Sequence, residues 1–485
     1  MKSVPLFGSG LLSYSPVVTA QRRVNCFYDV RTDQDKANVI IRGTPGSTLW
    51  ITLPKSPVRG WRVVNDTLYV VAGNGFYKVD TSGVVTYLGA PSGSADYVTI
   101  SDNAVQIIIV DGDTDSYIYT IATGVFSPIT DVNFPNGCRT VDFLDGSFIA
   151  ERPDSRQFYI SNLYDGFDWT PNSGAPVYGT KENNADNLLA VSVFNGVLIL
   201  FGTLTTEFWQ DIGASPLPYA RINGATQNWG LAAIRSRVKL NNMLVFIGQS
   251  LYGGIQVFSL NGYTPVRVST PDLETLMTSF GMVSDATAHG YTVDGHIFYQ
   301  VTFPSADRTF LYDTTTNFWY EAQSGVTEYA RHFAEYGIAF NNINLVCDKT
   351  TGNIYSLDPT VYTDNGDTIK RMVSTRHVHF DGNEYGASEL WLDIETGVGE
   401  ISGQGYDPTI VMDVSKDNGR TFPIQRTAQM GKIGEYDLKR VIWRRLGSSK
   451  DFVFRFTVTD PVKFTIVNGS MEVRHSTQRE RGTEI

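Results

Sequence analysis

The chain has 485 residues, 42% of them hydrophobic and 18% charged, with a net charge of −11. This supplies ample apolar material for a large core. The acidic balance marks a soluble, self-repelling chain and excludes a general nucleic-acid coat, though not a local basic surface. The three cysteines, Cys26, Cys138 and Cys347, are far apart and form no CxxC, so neither a disulfide framework nor a zinc knuckle is indicated and a reducing cytoplasm is the expected site of synthesis.

The first residues, Met1 to Gly8, lack the apolar stretch of a signal peptide. Residues 1–45 are poorly periodic and rich in Gly, Ser, Pro and Asn, which reads as an N-terminal arm or edge segment. Thr44-Pro45-Gly46-Ser47 is a turn, and Leu49 to Leu53 a short strand. A hydrophobic-aromatic strand phrase then recurs. Its anchors Tyr77, Tyr119, Tyr159, Phe208, Phe258, Tyr312 and Tyr355 follow one another at 42, 40, 49, 50, 54 and 43 residues. That spacing, with no helix signal between, is the period of a β-propeller blade, a unit that cannot bury both faces alone and must stack around an axis. Asn65-Asp66, Asp145-Gly146, Asn195-Gly196, Asn241-Asn242, Asp294-Gly295 and Asn341-Asn342 separate paired strand patterns and supply the positive φ of tight hairpins.

The reading is an all-β chain. Residues 46–358 form a propeller of seven blades, or six if the last phrase closes the ring. Pro271 to Phe280 is the one short helix, in a loop between blades. A polar linker, 359–370, precedes a C-terminal antiparallel β-sandwich at 371–475. Its strands are expected near 390–394, 410–414, 441–446, 452–458 and 464–467, followed by a charged tail at 476–485. The longest apolar runs, such as Val197 to Phe201, are strand-sized, so no membrane span is expected.

Chemistry is sparse. Ser415-Lys416-Asp417-Asn418-Gly419-Arg420-Thr421-Phe422 matches the Asp-box of sialidases. That motif is a hairpin-stabilising turn, here single and outside the propeller, and no paired carboxylates can be assembled around it. Asp111 to Asp115 opens like a calcium loop, but Ser116 and Ala122 stand where Gly and Glu are required. His377 and His379 share a strand face without a third ligand, which favours a solvent or interface pair over a metal. Gly73-Asn74-Gly75 lies between strands and opens no helix, so it is not a phosphate loop. No catalytic, cofactor or metal residues are assigned. The one basic-aromatic cluster is Lys439, Arg440, Trp443, Arg444 and Arg445. Strand alternation puts Arg440 and Arg444 on one face and Lys439, Trp443 and Arg445 on the other. Its two readings are a partly exposed strand with snorkelling stems and an interface with protein or a phosphate backbone.

An ordered set of phrases carries a family resemblance. It includes Gln21-Arg22-Arg23-Val24-Asn25-Cys26-Phe27-Tyr28, Gly43-Thr44-Pro45-Gly46, Thr206-Glu207-Phe208-Trp209, Tyr362-Thr363-Asp364-Asn365-Gly366, Met430-Gly431-Lys432-Ile433-Gly434 and Val441-Ile442-Trp443-Arg444-Arg445-Leu446-Gly447. The chain resembles the packaged-DNA stabilisation proteins, or tail accessory (hub, nozzle) proteins, of short-tailed bacteriophages. The resemblance implies a structural virion protein without catalytic residues or cofactor. Such a protein forms a ring, six copies being the family expectation, below the portal and its adaptor. It closes the DNA channel, stabilises packaged DNA and docks the tail needle or plug and the tailspikes or fibres. Double-stranded DNA passes transiently, without sequence-specific binding. Arg22 and Arg23 in the arm, with the 439–445 strand, become the candidate interface. A propeller glycosidase or glycan-binding protein, and an interaction scaffold unrelated to virions, are the alternatives.

Overall fold

The computed structural model describes residues 2–7, 15–30, 39–93, 97–113, 115–171, 174–380, 382–436 and 440–475. Six antiparallel meanders follow in order at 58–89, 99–128, 141–180, 188–221, 229–267 and 287–322. The seventh is built from Tyr336–Phe340, Ile343–Cys347 and Asn353–Asp358, and its outermost strand is Gly46–Thr52, supplied from the other end of the domain. Innermost strands touch from the first blade to the fourth and from the fifth through the seventh to the first, and blades four and five meet where Val197–Gly202 and Thr206–Asp211 pack on Trp229–Leu231, so the ring is closed with seven blades.

The recurring aromatic phrase is the third strand of every blade. Six of its seven anchors are buried because neighbouring blades stack face to face, and in the third blade Phe158 is buried while Tyr159 is half-buried. Tyr69, Phe76 and Tyr119 pack between the first two blades, for example, and Phe201, Phe246 and Phe258 between the fourth and fifth. Each such side chain contributes about 1.5–3 kcal/mol of burial. The hairpin turns between first and second strands adopt positive φ at Asn65, Asp145, Asn195, Asn241, Asp294 and Asn341, and all lie on one face of the ring. Those residue types tolerate that conformation best after glycine. The helix Pro271–Ser279, capped by the Thr270 hydroxyl, sits between blades five and six.

The segment expected as an arm is instead built into sheets. Lys2–Pro5 pairs with Thr465–His475, and the hairpin Cys26–Val30 with Val39–Gly43 extends the same sandwich sheet. Leu6, Phe27, Tyr28 and Ile41 are buried there. Their apolar runs are too short and too interrupted to register as strands in a linear reading. The two-residue strand Arg23–Val24 lies parallel to Phe318–Ala322, the last strand of blade six, and antiparallel to Arg371–Ser374 of the sandwich. One continuous sheet therefore runs from the propeller axis through blade six into the sandwich strands Asp451–Val458, Thr409–Ser415 and Ile424–Gln429. The second sandwich sheet holds Tyr385–Ile394, Val441–Ser449 and Thr465–His475. A single apolar core joins Phe298, Leu311 and Tyr320 of blade six to Leu390, Phe454 and Phe456 of the sandwich. In the polar connection, Thr363–Asp364 pairs with Asp367–Thr368 and lies parallel to the closing strand of blade seven. The charged tail 476–485 lies outside the described residues.

Candidate assembly interface

Val441–Ser449 forms an edge of its sheet and, among the described residues, pairs only with Tyr385–Ile394. Simple alternation fails in it. Arg445 has φ +60°, and the register shifts opposite Ala387 and Glu389, so an extra residue is accommodated as a bulge. Val441, Trp443 and Leu446 consequently all face the core, while Arg444 and Arg445 both turn outward. Trp443 is thus a core residue and not an interface residue: it is 4% exposed and packs on Phe456 at 5.5 Å between ring centroids. Arg440 lies over the Trp391 ring at 4.1 Å. Arg444 Nε donates to Glu389 Oε2 at 2.8 Å. Arg445 makes no ion pair among the described residues, and Lys439 lies outside them.

The neighbouring edge strand, Ile424–Gln429, adds Arg426, whose guanidinium donates to the backbone carbonyls of Arg444 and Arg445. Lys416 donates to Ser448 O at 3.2 Å. The bonds from Arg426 block part of an otherwise open strand edge and so restrain unplanned strand pairing. They also concentrate five cations, Lys416, Arg426, Arg440, Arg444 and Arg445, on one rim of an acidic chain.

Arg22 and Arg23 are not on that rim. Arg22 forms a two-pronged pair with Glu321 at 2.8 and 2.9 Å, reaches Glu328 at 3.3 Å and lies over Tyr329 at 4.5 Å. Arg23 is buried, with its guanidinium on Gln21 and Tyr28. The Arg22 side chain binds this segment to blade six, while Arg23 anchors it internally and pairs through its backbone with Val373 of the sandwich. Between them in space stands Asn25, at φ +52°. Its amide donates to Gln323 O and Lys370 O at 2.9 Å each and accepts from Gln323 N at 3.0 Å, using all the bonds that orient it.

The other sequence candidates are local structure. Asp417 accepts from Ser415 Oγ, the Arg420 and Thr421 N–H groups and Thr421 Oγ1, and these bonds hold its carboxyl well below the usual range. The Asp-box is therefore a turn. Asp111 pairs with buried Arg59 at 3.1 Å. His377 places Nδ1 on Asp451 and Nε2 on Pro16 O.

The axis of the propeller is a further site, absent from the sequence reading. A cup of about 490 Å³ is lined by residues of all seven blades, mostly from their innermost strands, including Arg62, Asp142, Lys239 and His289, with Arg237 just before the inner strand of blade five and Asn344 on the second strand of blade seven. Arg235 lies in the 3-10 turn Ile234–Ser236, Arg237 follows it, and Lys239 stands on the inner strand Val238–Leu240 of blade five, so three cations close in sequence approach the axis from one blade.

A propeller welded through one sheet to a sandwich, with a basic rim and acidic residues engaged in turns and ion pairs, defines a rigid all-β structural protein. The chain matches the family described as bacteriophage P22 Gp10, beta-propeller, over residues 19–362, and that described as bacteriophage P22 Gp10, beta-sandwich, over residues 370–474, and it belongs to this Gp10 family. It is a structural protein of the phage tail, found in the virion, whose family takes its name from stabilising packaged DNA. Among curated proteins no relative matches. Among solved structures, a chain of "Crystal Structure of Mitotic Checkpoint Complex" is similar over 68% of this chain and 97% of that one, at 11% identity and a TM-score of 0.39, a likeness that carries no argument.

Proposed function

We propose that the chain forms the hub, or nozzle, ring of a short phage tail. In this reading it sits below the portal and its adaptor, closes the DNA channel, and docks the needle and spikes. It acts by holding surfaces in place, without turnover. The membership of both domains in one tail family carries the reading. The continuous sheet across the domain boundary supports it, because a part that resists packaged DNA must not hinge. The channel is formed between copies and not along the propeller axis, where Arg235 and Tyr97 stand in the way. The net acidic charge suits a wall past which DNA slides, since a strongly cationic wall would hold phosphates through counterion release.

The rim of Arg440, Arg444 and Arg445 is the proposed contact with a neighbouring copy or the adaptor. Rim charges steer association and register more than they add affinity. Charge reversal of the three together should leave a folded monomer by circular dichroism and block tail assembly in complementation. Normal tails from that variant would refute the assignment.

A further inference from the structure

Innermost strands run from the inter-blade connections toward the Asn- and Asp-bearing turns, and the axial cup opens at those turns, where Arg62, Lys239 and Asn241 stand. At the opposite end Arg235 reaches across the axis from blade five. Its Nη1 donates to Val98 O at 3.2 Å, and its guanidinium lies 4.5 Å from the centre of the Tyr97 ring. Tyr97 in turn meets Tyr336 of blade seven edge-on at 5.6 Å, and the Lys349 ammonium lies 4.9 Å from the same ring. These groups form a floor.

The cations above the floor are unequally paired. Arg62 Nε is paired with Asp102 at 2.8 Å, and Lys239 with Asp142 at 2.8 Å. Asp142 is further engaged by Val193 N at 2.7 Å. Arg237 makes no ion pair among the described residues. Its Nε donates to Ile234 O at 3.0 Å and Nη1 to Val191 O at 2.7 Å, which fixes the guanidinium between blades four and five and leaves Nη2 without a protein partner. Burial pushes its pKa down to about 10, so it stays charged at neutral pH. Asp142 and Glu151 favour its charge without forming an ion pair with it, and the planar fork, held by two carbonyls, keeps a face that suits an oxyanion. Arg62 keeps both Nη groups available at the mouth, and Arg235 lies behind.

We propose that this cup is a binding site for a small oxyanion, a phosphate- or carboxylate-bearing molecule held by Arg237 with Arg62 and Lys239. The volume is that of an ordinary small-ligand pocket. The site is independent of the ring and its partners, so it stands or falls apart from the tail reading.

The test is isothermal titration of the purified full-length chain with inorganic phosphate and, separately, citrate, at constant ionic strength set by chloride. Saturable binding of one or both is expected, and the stronger names the chemistry. R237Q should abolish it. Because Arg237 also joins two blades, K239Q and R62Q at the mouth serve as the second probe, each weakening binding about tenfold or more through a lost charge-assisted bond. A variant of the distant rim, R444E/R445E, should bind as the parent does. No saturation with either anion would overturn the proposal, as would binding unchanged in both K239Q and R62Q.

Discussion

Trp443 and Arg445 are two residues apart and have opposite fates because one bulge separates them. Both were expected on one face of a regular strand. The positive φ of Arg445 breaks the period, returns Leu446 to the core and exposes the arginine. Nothing in the linear pattern marks that residue as bulged, since arginine has no special preference for the left-handed region. The consequence is measurable. Trp443→Ala should cost about 3–5 kcal/mol in denaturant unfolding, the range for a buried large aromatic. Arg445→Glu should stay within roughly 0.5 kcal/mol, as for an exposed substitution. Equal effects would contradict the burial assignment. Arg22 and Arg23 carry the same lesson: a basic pair in a Gly- and Ser-rich stretch reads as a surface, and only the fold reveals Glu321 and Tyr28 as partners almost 300 and 5 residues away.

At the scale of elements, the blades were legible because each is local. Their third strands repeat an aromatic phrase, and their turns use the few residue types that accept positive φ. The closing strand Gly46–Thr52 was legible as a strand but not as a partner, since its pairing with Asn353–Asp358 spans some 300 residues. The connection beside it has its own electrostatics. Burial pushes the Asp364 carboxyl up to about 7, against the opposing pull of the Ser47 hydroxyl and Arg371, with Asp367 adding to the rise. His332, 4.0 Å away, is held neutral by burial. A carboxyl whose folded pKa lies above its unfolded value near 3.8 binds more protons when folded, so stability from this group declines as pH rises from about 4 through 7. Asp364→Asn removes that dependence. The variant's stability relative to the parent should rise by about 1–4 kcal/mol between pH 5 and pH 8, measured by denaturant unfolding at both. A constant difference would show that the group stays ionised.

For the whole molecule, the sheet running from blade six through Arg23–Val24 into the sandwich, together with one shared core, predicts joint unfolding. Calorimetry should give a single transition. Asn25→Ala removes three buried hydrogen bonds at the junction and strains an alanine at φ +52°, and each carbonyl or N–H left unpaired costs about 1–3 kcal/mol. The transition should move down or split into two. Two separate transitions in the parent chain would contradict a rigid weld. A division into propeller and sandwich was visible in the sequence because the blade period stops near Leu357. The weld was not, because it is made by the first 43 residues, whose strands are short and find their partners at the far end of the chain.

A rigid part suits a tail hub, and the central claim is the proposal that such a part retains packaged DNA. The direct measurement is on particles assembled without this protein, comparing DNA held in heads and counting tails and spikes by negative-stain microscopy. The account predicts heads that package DNA and then empty, with spikes absent. Heads that stay full and carry complete tails would contradict it.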